Sequence, residues 1–256
     1  MSDLLKVALI GNPNTGKTSL FNILTGLNQK VGNYPGITVD KKTGKSRLSD
    51  TISAKIIDLP GTYSLNASSE DEDIAVKVLS DTTGDFYPDI VVVVAEVENL
   101  KRNLLLFTQV KELGLPTILV INMQDIMHAK GITIDVEALE KELHTKIILL
   151  STKKNSGITE LKEALLAYQT IPLTPCQLSN TSVLDSSSLN DKQQQHKKTV
   201  QRYQFINHLL DKYYTVKITR SQGFRAKLDA VITHKVFGYL IFFIILFSIF
   251  QALFSW

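Results

Sequence analysis

A chain of 256 residues is long enough for one full α/β domain and a second, smaller unit. Its net charge of +3 is spread along the sequence and not gathered into a basic block, so composition makes no case for nucleic acid as the main partner. The single cysteine, Cys176, excludes an intrachain disulfide framework, and Met1 to Lys6 lack the cationic start and apolar core of a secretory signal, so the folded part is expected in the cytosol.

Through about Tyr168, short apolar runs alternate with amphipathic stretches. Strands are expected at Leu4 to Ile10, Ala54 to Leu59, Ile90 to Ala95, Thr117 to Asn122 and Lys146 to Leu150. That alternation predicts an α/β domain over 1–170, a mostly parallel sheet covered by helices on both faces. Thr43 to Leu48, the turn Ser49-Asp50 and the strand from Ala54 read as an antiparallel hairpin at one sheet edge.

After Pro172 the composition changes. Residues 176–190 are rich in Ser, Asn and Asp and read as a flexible surface loop. Beyond it Ile206, Leu209, Leu210 and Tyr213, then Phe224, Leu228 and Ile232, recur at helical spacing, which predicts a small all-α domain over 171–235. From Val236 to Trp256 there is no charged residue, a run long enough to cover the roughly 30 Å hydrocarbon core of a bilayer. A transmembrane helix is expected at 236–256, with Lys227, His234 and Lys235 marking the cytoplasmic side.

The densest chemistry lies near the start. Gly11-Asn12-Pro13-Asn14-Thr15-Gly16-Lys17-Thr18 matches the phosphate-loop pattern, directly after a strand and before the helix-like stretch that opens with Ser19. Glycines let backbone N–H groups point at phosphates, Lys17 supplies charge at the β and γ phosphates, and the Thr18 hydroxyl would ligate Mg²⁺. Asn122-Met123-Gln124-Asp125 ends a strand and resembles the N-K-x-D guanine motif of GTPases, with methionine in place of lysine. There the Asp carboxylate accepts from the guanine N1–H and exocyclic amine, donors that adenine does not present in that arrangement. Ser151-Thr152-Lys153, after the next strand, resembles the last base-contacting loop or is an ordinary strand-to-helix turn. Asp58-Leu59-Pro60-Gly61 resembles the D-x-x-G switch, in which Asp58 would hold Mg²⁺ through water and the Gly61 N–H would meet the γ-phosphate. Thr38 is the candidate for the mobile first switch and a further Mg²⁺ ligand.

Together G-N-P-N-T-G-K-T-S-L-F-N, V-G-N-Y-P-G-I-T-V-D-K-K-T-G, D-L-P-G-T-Y-S-L and N-M-Q-D closely resemble the FeoB family of bacterial ferrous-iron transporters. The resemblance extends through the helical stretch to H-K-V-F-G and the apolar run. It implies an N-terminal GTPase domain and a helical domain favouring GDP, joined to a polytopic membrane domain that carries Fe²⁺, in a bacterial inner membrane. Iron carriage is then a property of the whole resembled protein, and the resemblance leaves room for a homo-oligomer. It also implies a K⁺ ion near Asn14 and the Gly32 to Tyr34 backbone, supplying the charge that an arginine finger gives elsewhere. Thr62 follows Gly61 where many GTPases have a catalytic glutamine, and Ala95-Glu96-Val97 stands where V-D-A is usual.

Glu70-Asp71-Glu72-Asp73 reads better as the acidic first turn of a helix capped by Ser68 or Ser69 than as an Fe²⁺ site. Cys176 has no companion for metal binding. A soluble or tail-anchored GTPase of the ribosome-assembly or tRNA-modification kind is the alternative, and it would need an RNA-binding module that does not appear after Tyr168.

Overall fold

Strands that are apolar at nearly every position need cover on both faces, and the chain supplies it by alternating them with helices. The computed structural model describes residues 4–27, 29–33, 40–66, 70–176, 191–217, 231–232, 234–235 and 237–254. In chain order these form β1 (Leu5–Gly11), α1 (Lys17–Thr25), β2 (Gln29–Asn33), β3 (Asp40–Arg47), β4 (Ser53–Asp58), α2 (Glu70–Ser80), β5 (Ile90–Glu96) and α3 (Leu100–Glu112). There follow β6 (Thr117–Asn122), α4 (Met127–Lys130), β7 (Ile132–Ile134), α5 (Val136–Leu143), β8 (Lys146–Leu149) and α6 (Ile158–Leu166). The C-terminal part contributes α7 (Asp191–Tyr213), β9 (Tyr214–Val216) and α8 (Phe237–Phe254). The chain forms two compact units, Met1–Val216 and Lys217–Trp256.

In the first unit the main sheet has the order β2-β3-β4-β1-β5-β6-β8. β4, β1, β5, β6 and β8 run parallel, whereas β3 is antiparallel to both β2 and β4. The fold is an α/β phosphate-loop type with a mostly parallel sheet. The expected hairpin is present as β3–β4, but the edge position belongs to β2. Gln-Lys-Val-Gly-Asn contains one β-branched residue and gives no strand pattern of its own; pairing with β3 supplies what its propensity lacks.

The alternation of side chains along each strand splits the core in two. Val7 and Leu9 of β1, with Val92 and Val94 of β5, pack with Leu20, Phe21 and Leu24 of α1 and Leu161 and Leu165 of α6. Ala8, Ile10, Val91 and Val93 face the other way, toward Ile74 and Leu79 of α2 and Leu104 and Phe107 of α3. Ile206 and Leu209 of α7 join this second cluster, and Leu210 and Tyr213 pack against it, as their spacing leads one to expect.

α7 therefore lies on the α/β body. Arg202 donates to both carboxylate oxygens of Glu112 on α3, at 2.7 and 2.5 Å. The preceding residue, Lys111, is fully buried and donates to the backbone carbonyls of His144 and Pro172 at 2.8 and 2.5 Å. β9 then pairs antiparallel with β7, a two-stranded addition too short to leave a period in the sequence. Of the expected all-α domain over 171–235, α7 is described. The Ser-rich stretch from 177 and the Phe224 and Leu228 positions lie outside the described residues. So do Ser68 and Ser69, while Glu70 does open α2.

α8 is apolar on all sides, with Leu240, Phe242, Phe243, Ile244, Ile245 and Phe247 all exposed. At 1.5 Å per residue its 18 residues reach about 27 Å, slightly less than a hydrocarbon core. No described helix is long and apolar enough to cross a membrane. Over the segment expected as a transmembrane helix, 236–256, the described residues form an apolar helix at Phe237–Phe254 that is not shown to span a membrane, and Val236 and Trp256 lie outside the described residues.

Two outcomes follow from this packing. Ile206→Ala should destabilise the protein by about 2–5 kcal/mol, measured by urea denaturation, because the buried site offers nothing to fill the cavity. Burial pushes the Cys176 thiol up to about 11, so a disulfide reagent at about pH 8 should label it slowly in the folded protein and rapidly in urea.

Candidate functional site

β1 lies between β4 and β5, the strands that follow it in the parallel set, so its carboxyl end is the point where the sheet order reverses. The loop leaving that end is the phosphate-loop candidate. Gly11 is the last residue of β1, and a Cβ there would sit 2.4 Å from the Val94 carbonyl oxygen of β5, so the neighbouring strand forbids any side chain. Asn14 adopts φ 68° and Gly16 φ 84°, the left-handed conformations that turn the chain sharply into α1. Gly16 caps α1 without a side-chain hydrogen bond, which leaves first-turn N–H groups without a side-chain acceptor.

A cavity of about 400 Å³ lies at this N-terminus, lined by Asn12, Pro13, Asn14, Gly16, Lys17, Thr18, Ser19 and Gly61. Thr18 and Ser19 are exposed in it, whereas Thr15 is buried with its hydroxyl donating to the Asn12 carbonyl at 2.9 Å. Lys17 is buried, and its ammonium pairs with the Asp58 carboxylate at the end of β4. The D-x-x-G and phosphate-loop residues are thereby joined, 41 positions apart in sequence. Backbone bonds reinforce the junction: Leu59 N–H donates to Leu9 O at 3.0 Å and Thr62 N–H to Gly11 O at 3.1 Å. Asn12 is 3% exposed, and neither atom of its carboxamide has a hydrogen-bond partner among the described residues. An orphaned buried amide is costly, about 1–3 kcal/mol per group.

The base-reading candidates come from the ends of β6 and β8. Asn122 is 1% exposed, and its amide donates to the Thr15 carbonyl at 2.9 Å and to the Thr152 hydroxyl at 3.2 Å. Its oxygen accepts from the Thr152 N–H at 3.1 Å. One side chain thus ties all three loops together. The close approach depends on Gly16, where a Cβ would sit 2.2 Å from the Asn122 amide nitrogen.

Met123 takes a left-handed φ of 67°, which turns the chain so that Asp125 comes back toward Ser151. The Ser151 hydroxyl donates to Asp125 Oδ1 at 2.6 Å. That hydrogen bond first, then the backbone and the charges of Lys153 and Lys154, hold the Asp125 carboxyl below the usual carboxylate range. An ionised acceptor is what two neighbouring N–H donors require. Ser151 is itself fixed by paired backbone bonds with Ser156 at 3.1 and 3.2 Å.

The predicted residues Gly11 to Ser19, Asp58 and Gly61 form one group, and Asn122 to Asp125 with Ser151 to Lys153 form a second beside it. Gly32 lies in β2, paired with Lys41 on the sheet edge. Tyr34 and Thr38 lie outside the described residues. Thr62 is 2% exposed and its hydroxyl donates to the Ser64 carbonyl at 2.7 Å. Sequence reading places Asn12 in the phosphate loop without a separate role and does not single out Gln109 or Arg102, which touch the segment after Gly61; an Arg on an otherwise core-facing helix is the local signal that could have drawn attention to the latter.

These residues fit a nucleotide and Mg²⁺ on the chemistry of the donors present. An uncapped helix N-terminus, a buried ammonium and an orphaned amide suit phosphate oxygens, while an exposed threonine hydroxyl and a buried carboxylate suit a hard cation.

Comparison with known proteins agrees with this geometry. The chain is 42% identical over 187 residues to the Fe(2+) transporter FeoB of Legionella pneumophila (strain Paris), an overlap of 73% of this chain and 24% of that protein. It thus spans about a quarter of the length of such curated relatives. The cytosolic domain of the T. maritima FeoB iron transporter, in GDP form II, superposes with a TM-score of 0.74 at 28% identity, covering 83% of this chain and 100% of that one. The cytosolic domain of L. pneumophila FeoB does so with a TM-score of 0.69 at 37% identity, covering 82% and 99%. The fold is accordingly that of a P-loop GTPase. A family model described as ferrous iron transport protein B matches residues 5–165, and the chain belongs to that family.

Proposed function

We propose that this chain binds GTP and GDP with Mg²⁺ and hydrolyses GTP, as the nucleotide-operated part of a ferrous-iron transporter. The observation that carries the reading is the three-way tie made by Asn122, which brings the phosphate loop, the Asp125 carboxylate and the Ser151 to Lys153 loop to one end of the sheet. The GDP form of the T. maritima relative supports the choice of nucleotide.

In this reading Gly11 to Ser19 cradle the phosphates, Lys17 neutralises them, and Asp125 reads the guanine donors, with Met123 and Ser151 to Lys153 enclosing the base. Thr18, Thr38 and Asp58 would hold Mg²⁺, which supplies charge neutralisation at the β and γ phosphates when bound. The Gly61 N–H meets the third phosphate, so its loss releases the segment that follows. Thr62, buried and committed to Ser64, does not orient water. The transition-state charge therefore needs another source, and we assign it to a K⁺ ion held by Asn14 with the backbone of Gly32 and Tyr34.

We further read residues 1–170 as the G domain, 171–235 as a helical regulatory domain and 236–256 as the start of a membrane domain. The apolar surface of α8 and the uncharged run around it support membrane attachment with the G domain on the cytoplasmic side of a bacterial inner membrane. Fe²⁺ is read as the substrate of the whole transporter and is assigned to none of these site residues. The family membership disfavours the RNA-associated alternative.

Asp125→Asn should shift preference from guanine to xanthine nucleotides by at least about tenfold, since an amide cannot accept from both guanine donors. Calorimetry with GTP, ATP and XTP checks this, and equal affinity of the wild type for ATP and GTP would sink the assignment. GTP hydrolysis should be faster in KCl than in matched NaCl, by a factor corresponding to roughly 2.7–4 kcal/mol at most. Asn14→Ala should abolish that difference with little change in GDP affinity, whereas Lys17→Ala should damage binding itself. Equal wild-type rates in the two salts would reject the cation and leave guanine binding untouched.

A further inference from the structure

The segment after Gly61 is held from α3 at two points. Gln109, 7% exposed, accepts the Leu65 backbone N–H at 2.9 Å. Two turns earlier on the same helix, the Arg102 guanidinium stacks over the Tyr63 ring at 3.7 Å from its centroid. Between them, the Thr62 hydroxyl turns the chain by donating to Ser64 O at 2.7 Å, and the Thr62 N–H anchors the start of the segment on Gly11 O at 3.1 Å. On the far side Ser64 Oγ donates to Glu72 of α2 at 3.5 Å.

Neither α3 contact is needed to build the core. The Gln109 bond lies 44 residues apart in sequence and satisfies a single loop N–H, and Tyr63 is 40% exposed, so its ring is not a packing element. Both contacts are breakable, since one is a neutral hydrogen bond and the other a stack open to solvent. Both act on the short stretch that begins at Gly61, whose N–H must meet the third phosphate in the proposed function.

We propose that Gln109 and Arg102 are positioning residues for GTP hydrolysis, holding the Gly61 to Leu65 segment so that the Gly61 N–H is preset for the γ-phosphate. This rests on the reading of the site as a GTPase. Hydrolysis depends on groups that do not have to reorganise as charge develops, so a segment freed at Leu65 or Tyr63 reaches the productive arrangement for a smaller fraction of the time. Ground-state binding of GDP makes no use of that arrangement. The signature is a loss in kcat with GDP affinity kept.

The test uses the full 256-residue chain in detergent, with single-turnover and steady-state hydrolysis and fluorescent-GDP binding measured in parallel. Gln109→Met, close in volume but without the acceptor, should lower kcat about tenfold and leave GDP affinity within about twofold, while Gln109→Glu, which keeps an acceptor oxygen, should recover most of the rate. Tyr63→Leu should lower kcat about threefold to fivefold and Tyr63→Phe should not, because the ring face carries the contact. Arg102→Lys, which keeps the charge but loses the planar stack, should behave as Tyr63→Leu does. The half-exposed Tyr63 and Arg102 variants keep the question answerable should Gln109→Met fold poorly. Wild-type kcat in the Tyr63→Leu and Arg102→Lys proteins would overturn the proposal, as would parallel loss of GDP affinity and kcat in all the variants. Failure of the wild type to bind GDP or hydrolyse GTP would instead strike the proposed function on which it stands.

Discussion

The arrangement of this molecule depends on how closely the loop after β1 approaches the end of β6. Asn122 fills the space left by the absent side chain of Gly16 and takes the Thr15 carbonyl as acceptor, while its own oxygen receives the Thr152 N–H. A buried carboxamide has two donors and two acceptor sites, and here its three bonds tie the end of β6 to two other segments, at Thr15 and at Thr152. Without that approach the phosphate-loop, Asp125 and Ser151 elements would be three separate turns. With it they share one rigid frame, carried on strands that are apolar on both faces and hence fixed in register by two cores.

The same frame sets the electrostatics. Lys17 and Asp58 form a buried ion pair at the head of α1, an arrangement that holds an ammonium beside the cavity without leaving it unpaired in a low-dielectric site. Asp125 is treated differently. It is partly exposed and takes its lowered pKa from a hydroxyl donor and nearby lysines, so it stays ionised without being locked to a cation. A carboxylate held this way is ready to accept hydrogen bonds from a ligand.

α3 connects the site to the C-terminal additions. It faces the Gly61 to Leu65 segment through Arg102 in its first turn and Gln109 in its last, and its final residues, Lys111 and Glu112, hold the Pro172 carbonyl and Arg202 of α7. Burial lowers the pKa of Lys111, whose ammonium donates to the His144 and Pro172 carbonyls, and the neighbouring Cys176 opposes that shift. A single stiff helix thus touches both the proposed γ-phosphate sensor and the packing of α7.

Much of this was legible from the residues in order. Apolar runs announced the parallel strands, because a strand covered on both faces must be apolar throughout. The phosphate loop was readable because its glycines are demanded by local geometry: backbone close to β5 at Gly11 and a left-handed turn at Gly16. Ile206 and Leu209 declared their burial by spacing alone. Other features depend on partners far away in sequence, and no local pattern carries them. β2 exists because β3 lies beside it, and the three-residue strands β7 and β9 exist only as a pair. The edge position of the expected hairpin, the bond from Leu65 to Gln109, the stack of Arg102 on Tyr63 and the isolation of the Asn12 amide were all decided by which surfaces meet. The sequence by itself determined which segments are strand, helix and phosphate loop, since those follow from side-chain period and backbone sterics; the tertiary structure decided which side chains meet across them, since a hydrogen bond between residues 44 or 107 positions apart is set by packing and by nothing local.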